Sequence, residues 1–263
     1  MRGLNRDALN EGMDRKVIWI FAGLVIFSIL VCILLSMSDV RVRIEQSGPN
    51  DGTSSGALNF PLYLLRGFMS IMIFVSAMAA ASSIPSMLGR GRSDYFLSKP
   101  LSRASLFLGK FIGLMWVYGV ATLVGGLLVY LTMAALLQNF TLGVLYLLLF
   151  SLLELFVWLT IIAGAGVFSG STTVAIVTAF LVWVLQSILA ARQTIEMILN
   201  SKVIGYILDV AYWIFPKTSQ LSRDGLTLAL GEPVDQWLAT PATLAFGLLT
   251  LVVAVYLFRR KEL

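Results

Sequence analysis

The chain has 263 residues, of which 58% are hydrophobic and only 13% charged, with a formal net charge of +5. Soluble domains carry about 25% charged and ~45–50% apolar residues, so this composition excludes an ordinary soluble globule. It points to an all-α polytopic membrane protein, whose spans use up the length and leave no sizeable soluble domain. Histidine is absent and Cys32 is the lone cysteine, which removes the commonest general base and metal ligand, any disulfide framework and any cysteine-based metal site.

The first sixteen residues are polar overall. Leu4, Ala8, Leu9 and Met13 nevertheless share one helical face, with Asn5, Arg6, Asn10 and Glu11 opposite, the pattern of a short amphipathic segment on the inner membrane surface. The first apolar run, 17–37, is too long for a signal-peptide core and is expected as an uncleaved span. A Gly-, Ser-, Asn- and Asp-rich loop over 38–60 follows, with turn chemistry and no clear core. The second span is expected at 67–88, with Arg66 snorkelling to the outer headgroups and Pro85 near the inner end. The third runs over 106–137, longer than a ~30 Å hydrocarbon core needs, and should tilt or project. Spans four, five and six fall at 142–168, 173–190 and 243–258, the last entered just after Pro241.

Residues 191–240 form the remaining outer region. Ile195, Ile198, Leu199, Ile204, Ile207 and Leu208 recur near helical spacing. The apolar stretch 203–215 is too short to cross a bilayer and suits a re-entrant or interfacial helix. Pro216 stops it, and a polar stretch containing Pro233 leads to span six.

The basic residues fix the orientation. Twelve lie at the proposed inner ends: Arg2, Arg6, Arg15, Lys16, Arg90, Arg92, Lys99, Arg103, Lys110, Arg259, Arg260 and Lys261. The longer outer segments hold seven. The positive-inside rule therefore puts both termini and the 89–110 loop in the cytoplasm. Both ends inside requires an even number of crossings, which six spans satisfy and a seventh at 203–215 would not.

No phosphate-binding GxxxxGK[ST] loop, HExxH motif, paired-carboxylate or Ser-His-Asp pattern occurs, so neither nucleotide hydrolysis nor other catalysis is expected of this chain, and no metal site. The segment 89–110, GRGRSDYFLSKPLSRASLFLGK, has a different logic. Ser93 is placed to cap a short helix with Asp94 in its first turn, Lys99–Pro100 ends it, and Ser102 is placed to cap the long third helix. The product is a short cytoplasmic helix over 89–104, joined by a stiff elbow to span three. By spacing alone it is either a docking element for another protein or a basic loop holding anionic lipid headgroups.

The same segment resembles the signature between the second and third spans of ABC-2 type permeases, the membrane subunits of ABC transporters. Gly91, Asp94, Leu97, Ser98, Lys99, Pro100, Ser102, Arg103, Leu108, Gly109 and Lys110 fall on matching positions. Asp94 stands where the family commonly has Glu, Lys99 where it has Arg or Thr, and GRGR replaces acidic residues often seen upstream. The six-span layout, the amphipathic amino-terminal segment, the broken region before span six (YWIFPKTSQL) and the basic tail FRRKEL are similar to the family as well.

The resemblance implies a separate ATPase subunit docking on the short cytoplasmic helix, with ATP and magnesium bound there and no cofactor on this chain. It also implies a second permease copy or a homologous permease in the complex, in the cytoplasmic (inner) membrane. The expected docking residues are Asp94, Tyr95, Phe96, Leu97, Lys99, Pro100 and Arg103. The implied function is export by alternating access. Two further readings stand beside it: ATP-driven motion passed through the outer regions to an extracytoplasmic partner, and an ATP-independent scaffold or channel. Membrane lipid is an expected partner, nucleic acid is not.

Inside the spans, Glu154 is the one deep acid and Gln186 its candidate partner. A carboxylate at bilayer depth costs about 2.5–3.5 kcal/mol or more on insertion. It therefore either lines a polar cavity or proton-coupled site, or is a hydrogen-bonded group that fixes helix packing. Gly109–Gly113, Ala77–Ala81 and the cluster Gly164, Gly166 and Gly170 have the small-residue spacing of close helix contacts, within the chain or between subunits.

Overall fold

The computed structural model of the chain describes residues 15–37, 55–85, 102–137, 140–190, 192, 197, 202–234 and 237–260. Its elements are α1 (Arg15–Met37), α2 (Ser55–Ala80), α3 (Arg103–Leu137), α4 (Val144–Ser169), α5 (Thr172–Ala190), α6 (Lys202–Ile214), α7 (Thr218–Ala229) and α8 (Ala239–Arg260). No strand occurs among the described residues. Helices meet every backbone hydrogen bond within one segment, which hydrocarbon demands and water does not. Five are long and apolar enough to cross a membrane: Leu62–Ala80 within α2, Arg103–Leu136 within α3, and α4, α5 and α8. The chain is thus a helical, multi-pass membrane protein. Large apolar side chains such as Trp116, Leu145, Phe180, Leu181 and Val252 are exposed on these helices, as a lipid-facing surface requires.

α4 is the hub. α8 and α7 pack along it most extensively, and α5, α2 and α3 also contact it. Its interior faces carry Leu155, Val157, Leu159, Ile162, Ala163 and Val167, all buried. α1 lies at the periphery against α3 and α2, where Phe21 stacks on Tyr118 with ring centroids 6.2 Å apart. Most of α1's large apolar side chains, Trp19, Ile20, Ile26, Phe27 and Leu30 among them, are exposed.

The helix bounds differ from the hydropathy reading at both ends of α2, which begins at Ser55, inside the stretch expected as a loop over 38–60, rather than at 67. α2 ends at Ala80 rather than continuing to residue 88, and 81–84 form turns before Pro85. Proline removes an amide donor and crowds the preceding turn. The Pro85 ring instead packs on α4, where a Cβ at Gly166 would stand 3.2 Å from it. α3 is 35 residues long, about 52 Å at ~1.5 Å per residue, and therefore longer than a single bilayer crossing. Ser102 caps its start: its Oγ accepts from the Ser105 N–H at 3.2 Å. The Tyr130 hydroxyl clamps the turn after α3, accepting from the Thr141 N–H and donating to the Thr141 carbonyl, each at 2.7 Å.

Among the described residues between 191 and 238, two short helices occur, α6 and α7. α6 has 13 residues and α7 has 12, about 20 Å and 18 Å long, too short to span. α7 occupies the stretch read from sequence as merely polar. It buries Leu221, Gly225, Leu226 and Ala229, and a Cβ at Gly225 would lie 2.7 Å from Phe150 Cβ on α4. Its docking is held further by Thr240, whose hydroxyl donates to Asp224 Oδ2 at 2.9 Å. At the opposite end of α8, Phe258 packs on Phe107 of α3 at 5.4 Å. The start of α3 and the end of α8 are therefore neighbours, and α6 and α7 lie at the other end of the bundle.

The glycines divide. At Gly164 and Gly166 an added Cβ would meet Thr250 and Pro85 at 3.2 Å, so these positions serve contacts within the chain. At Gly109 it would meet nothing within 4 Å. Gly170 has φ 68° and ends α4 in the left-handed conformation that favours glycine.

Candidate functional site

Most buried hydroxyls in the bundle are satisfied locally. Ser76, Thr122, Ser151 and Thr160 each donate to a carbonyl three or four residues earlier on their own helix, at 2.7–2.8 Å. Such back-bonding lets a polar residue sit in an apolar interior without a partner on another helix. A carboxyl and a carboxamide have no equivalent local solution. Among the described residues, Glu154 Oε2 and Gln186 Nε2 are the buried side-chain atoms left without a hydrogen-bond partner. Both line one cavity.

That cavity, about 360 Å³, opens between α2, α4, α5 and α7. Each helix supplies a stripe. Arg66, Ser70 and Phe74 recur every four residues on α2, and Glu154 and Trp158 are one turn apart on α4. α5 contributes Trp183, Gln186 and Ser187, and α7 contributes Thr218, Ser219 and Ser222. Spacing of three and four residues puts these side chains on one face of each helix. Phe74 and Trp183, with centroids 6.3 Å apart, close one wall.

Arg66 turns toward α7 within the bundle. It is half-buried in the cavity wall, and its Nε donates to Ser222 Oγ at 3.2 Å. Its positive charge faces Glu154 across the cavity, without a direct ion pair. Trp158 is the hydrogen-bonding neighbour of Glu154 on the same helix. Gln186 shares the cavity with Glu154 but is not bonded to it: its Oε1 accepts from the Thr218 hydroxyl at 2.5 Å. The donor set, one carboxylate with hydroxyls, an amide and a guanidinium, suits polar or charged organic groups better than a transition metal.

Gln186 and Ser219 also line a second, smaller cavity of about 130 Å³ above the first. Its walls are cationic and aromatic. Arg192 sits over the Tyr212 ring at 3.5 Å, and its Nε pairs with Asp209 Oδ1 at 2.8 Å. Lys217 is almost fully buried, its Nζ 4.0 Å from the Trp213 centroid and 4.6 Å from that of Tyr212. Arg223 is exposed at the rim. Burial pushes the Lys217 ammonium below its ordinary range, and the neighbouring Arg192 guanidinium pushes in the same direction. The Lys217 N–H donates to Thr243 Oγ1 at 3.2 Å, which ties this corner to the first turn of α8.

Of the docking residues expected from sequence, Asp94, Tyr95, Phe96, Leu97, Lys99 and Pro100 lie outside the described residues, as does most of the 89–104 element. Arg103 is described and opens α3, next to the Ser102 cap. The sequence reading singled out Glu154 and Gln186. It missed the inward turn of Arg66 and the convergence of Arg192, Lys217 and Arg223. Lys217 followed by a weak amphipathic repeat, Thr218, Leu221, Leu226 and Ala229, is the one local signal that could have located α7.

No protein-family model matches the chain, and no curated protein matches it.

Proposed function

We propose that this chain is the membrane-spanning subunit of an ABC-2 type transporter, driven by a separate ATPase and exporting its cargo by alternating access. The observation that carries the reading is the segment running from Gly91 to Lys110, whose matching residues end in a helix start capped by Ser102. A short cytoplasmic element fixed to a helix of 35 residues can pass an inward push to the far end of the bundle as a rigid-body movement. Five apolar helices support the architecture. α1, 23 residues and about 34 Å long, is the sixth crossing in this reading, which keeps both termini in the cytoplasm, with the complex in the inner membrane. A second permease, identical or homologous, completes the pathway. The Glu154 cavity, on the far side from the hinge, is the polar part of that pathway.

The test is co-purification with any soluble protein that carries a phosphate-binding loop and whose gene lies beside this one. Phe96→Asp combined with Leu97→Asp should abolish recovery of the ATPase and its stimulation. Undiminished recovery with normal coupling would remove the docking assignment. Orientation is checked separately in a Cys32→Ala background. A cysteine at Ser93 should react only with reagents on the cytoplasmic side, and one at Ser47 only with reagents outside. The reverse pattern, or both on one side, would exclude six crossings with inner termini.

A further inference from the structure

The smaller cavity between α5, α6 and α7 has a use that the transport reading does not assign. Three cationic side chains converge on it, and among the described residues no carboxylate lines it. One of the three, Arg192, is already paired with Asp209. The Lys217 ammonium forms no ion pair or hydrogen bond with the described residues and rests on two aromatic faces. Such faces attract a cation from one side and leave its N–H donors directed elsewhere. The wall also carries the unpartnered amide donor of Gln186 Nε2. Buried donors and cations without acceptors are costly, and the cost is relieved by an anion.

We propose that this cavity is a binding site for a phosphate group, held by Lys217, Arg192 and Arg223 with Gln186 donating from below. Guanidinium groups offer paired N–H donors that match phosphate oxygens. Two positive charges beyond the Asp209 pair suit a phosphomonoester, which carries about −1.5 to −2 at neutral pH. At about 130 Å³ the cavity takes one oxyanion group rather than a drug-sized molecule, whose sites run from about 300 to 1,000 Å³. Exposed Tyr206 and Trp213 on α6 and Trp237 ahead of α8 place the mouth in a setting typical of the membrane–water interface. The phosphate therefore arrives either on a lipid headgroup or as a free anion. The charge-suppressed environment of Lys217 described above agrees with a site waiting for a counter-charge. The proposal does not depend on an ATPase partner.

The experiment uses the purified, delipidated full chain. Its thermal midpoint is followed against inorganic phosphate, with chloride at matched ionic strength as control, and against phosphatidic acid, with diacylglycerol as control. A saturable rise is expected with a phosphate-bearing probe and not with its control. Apparent affinity should fall about tenfold or more in Lys217→Met and in Arg223→Gln, as the loss of one charge-assisted contact predicts. Arg223 is exposed, so its variant keeps the test open if Lys217→Met does not fold. Response to inorganic phosphate identifies a free anion as sufficient, and response to phosphatidic acid alone identifies the headgroup. No saturable response to either probe, or equal response in both variants, overturns the site.

Discussion

Thr218 at the start of α7 donates its hydroxyl hydrogen to Gln186 Oε1 on α5, at 2.5 Å, with both side chains buried. This bond joins α7 to the spanning helix α5. It also orients the Gln186 amide so that its Nε2 remains without a partner where the two cavities adjoin. Local movement of α7 therefore acts directly on the walls of both.

Removing the donor alone should be worse than removing both groups. Thr218→Val leaves a buried carbonyl oxygen unmet, a loss of about 1–3 kcal/mol. Adding Gln186→Leu removes the orphan and should recover most of that loss. Unfolding midpoints of the two single variants and the double variant in detergent measure the coupling. Additive losses would show that the two side chains do not depend on one another.

Glu154 should behave as a group kept for function rather than for stability. One of its oxygens is buried without a hydrogen-bond partner, so Glu154→Leu should leave the thermal midpoint unchanged or higher, by the equivalent of up to ~1–3 kcal/mol. On the transport proposal, ATP-driven cargo movement should fall in the same variant. A clear drop in midpoint would instead mark the carboxyl as a packing bond between helices.

Two glycines test the packing in a way that separates rigid from yielding neighbours. A Cβ at Gly143 would sit 2.1 Å from the Ala229 carbonyl oxygen, a backbone atom at the end of α7. Gly143→Ala should therefore destabilise by about 1–3 kcal/mol or more, since overpacking against main chain has no easy relief. At Gly126 the near atoms, 2.5–2.6 Å away, are the Met69 thioether end, which can rotate aside. Gly126→Ala should cost far less and be offset in part by a gain in helix propensity of ~1 kcal/mol. Equal losses at the two sites would contradict the docking of α7 on the α3–α4 turn.

The pH dependence of stability should carry a mark of Lys217. Burial, reinforced by Arg192, lowers its pKa in the folded chain. Below that value the side chain is charged in both folded and unfolded chains, and the folded state bears the full cost. Between it and the ordinary lysine value of about 10.4 the folded side chain releases its proton first, so stability rises with pH. The wild type should thus gain on Lys217→Met as pH climbs through the alkaline range, in chemical denaturation at matched salt. A constant difference between the two proteins would show that Lys217 is not held against its charge.

The class of the protein was legible in the sequence because hydropathy is a local property. Long apolar runs and the capping Ser102 depend on neighbours in the chain, and the helical frame of α3, α4, α5 and α8 follows them closely. Glu154 was conspicuous for the same reason, as one acid in an apolar run. What only the tertiary structure decided was which polar groups face one another. Arg66 on α2, Glu154 on α4, Gln186 on α5 and Ser222 on α7 share a cavity although Arg66 and Ser222 lie 156 residues apart. The end of α2 at Ala80 and the helix α7 were likewise set by docking on α4, where Gly166 receives the Pro85 ring and Gly225 admits Phe150. A polar, weakly periodic stretch becomes a buried helix only when another surface covers its apolar edge, and one-dimensional spacing does not contain that surface.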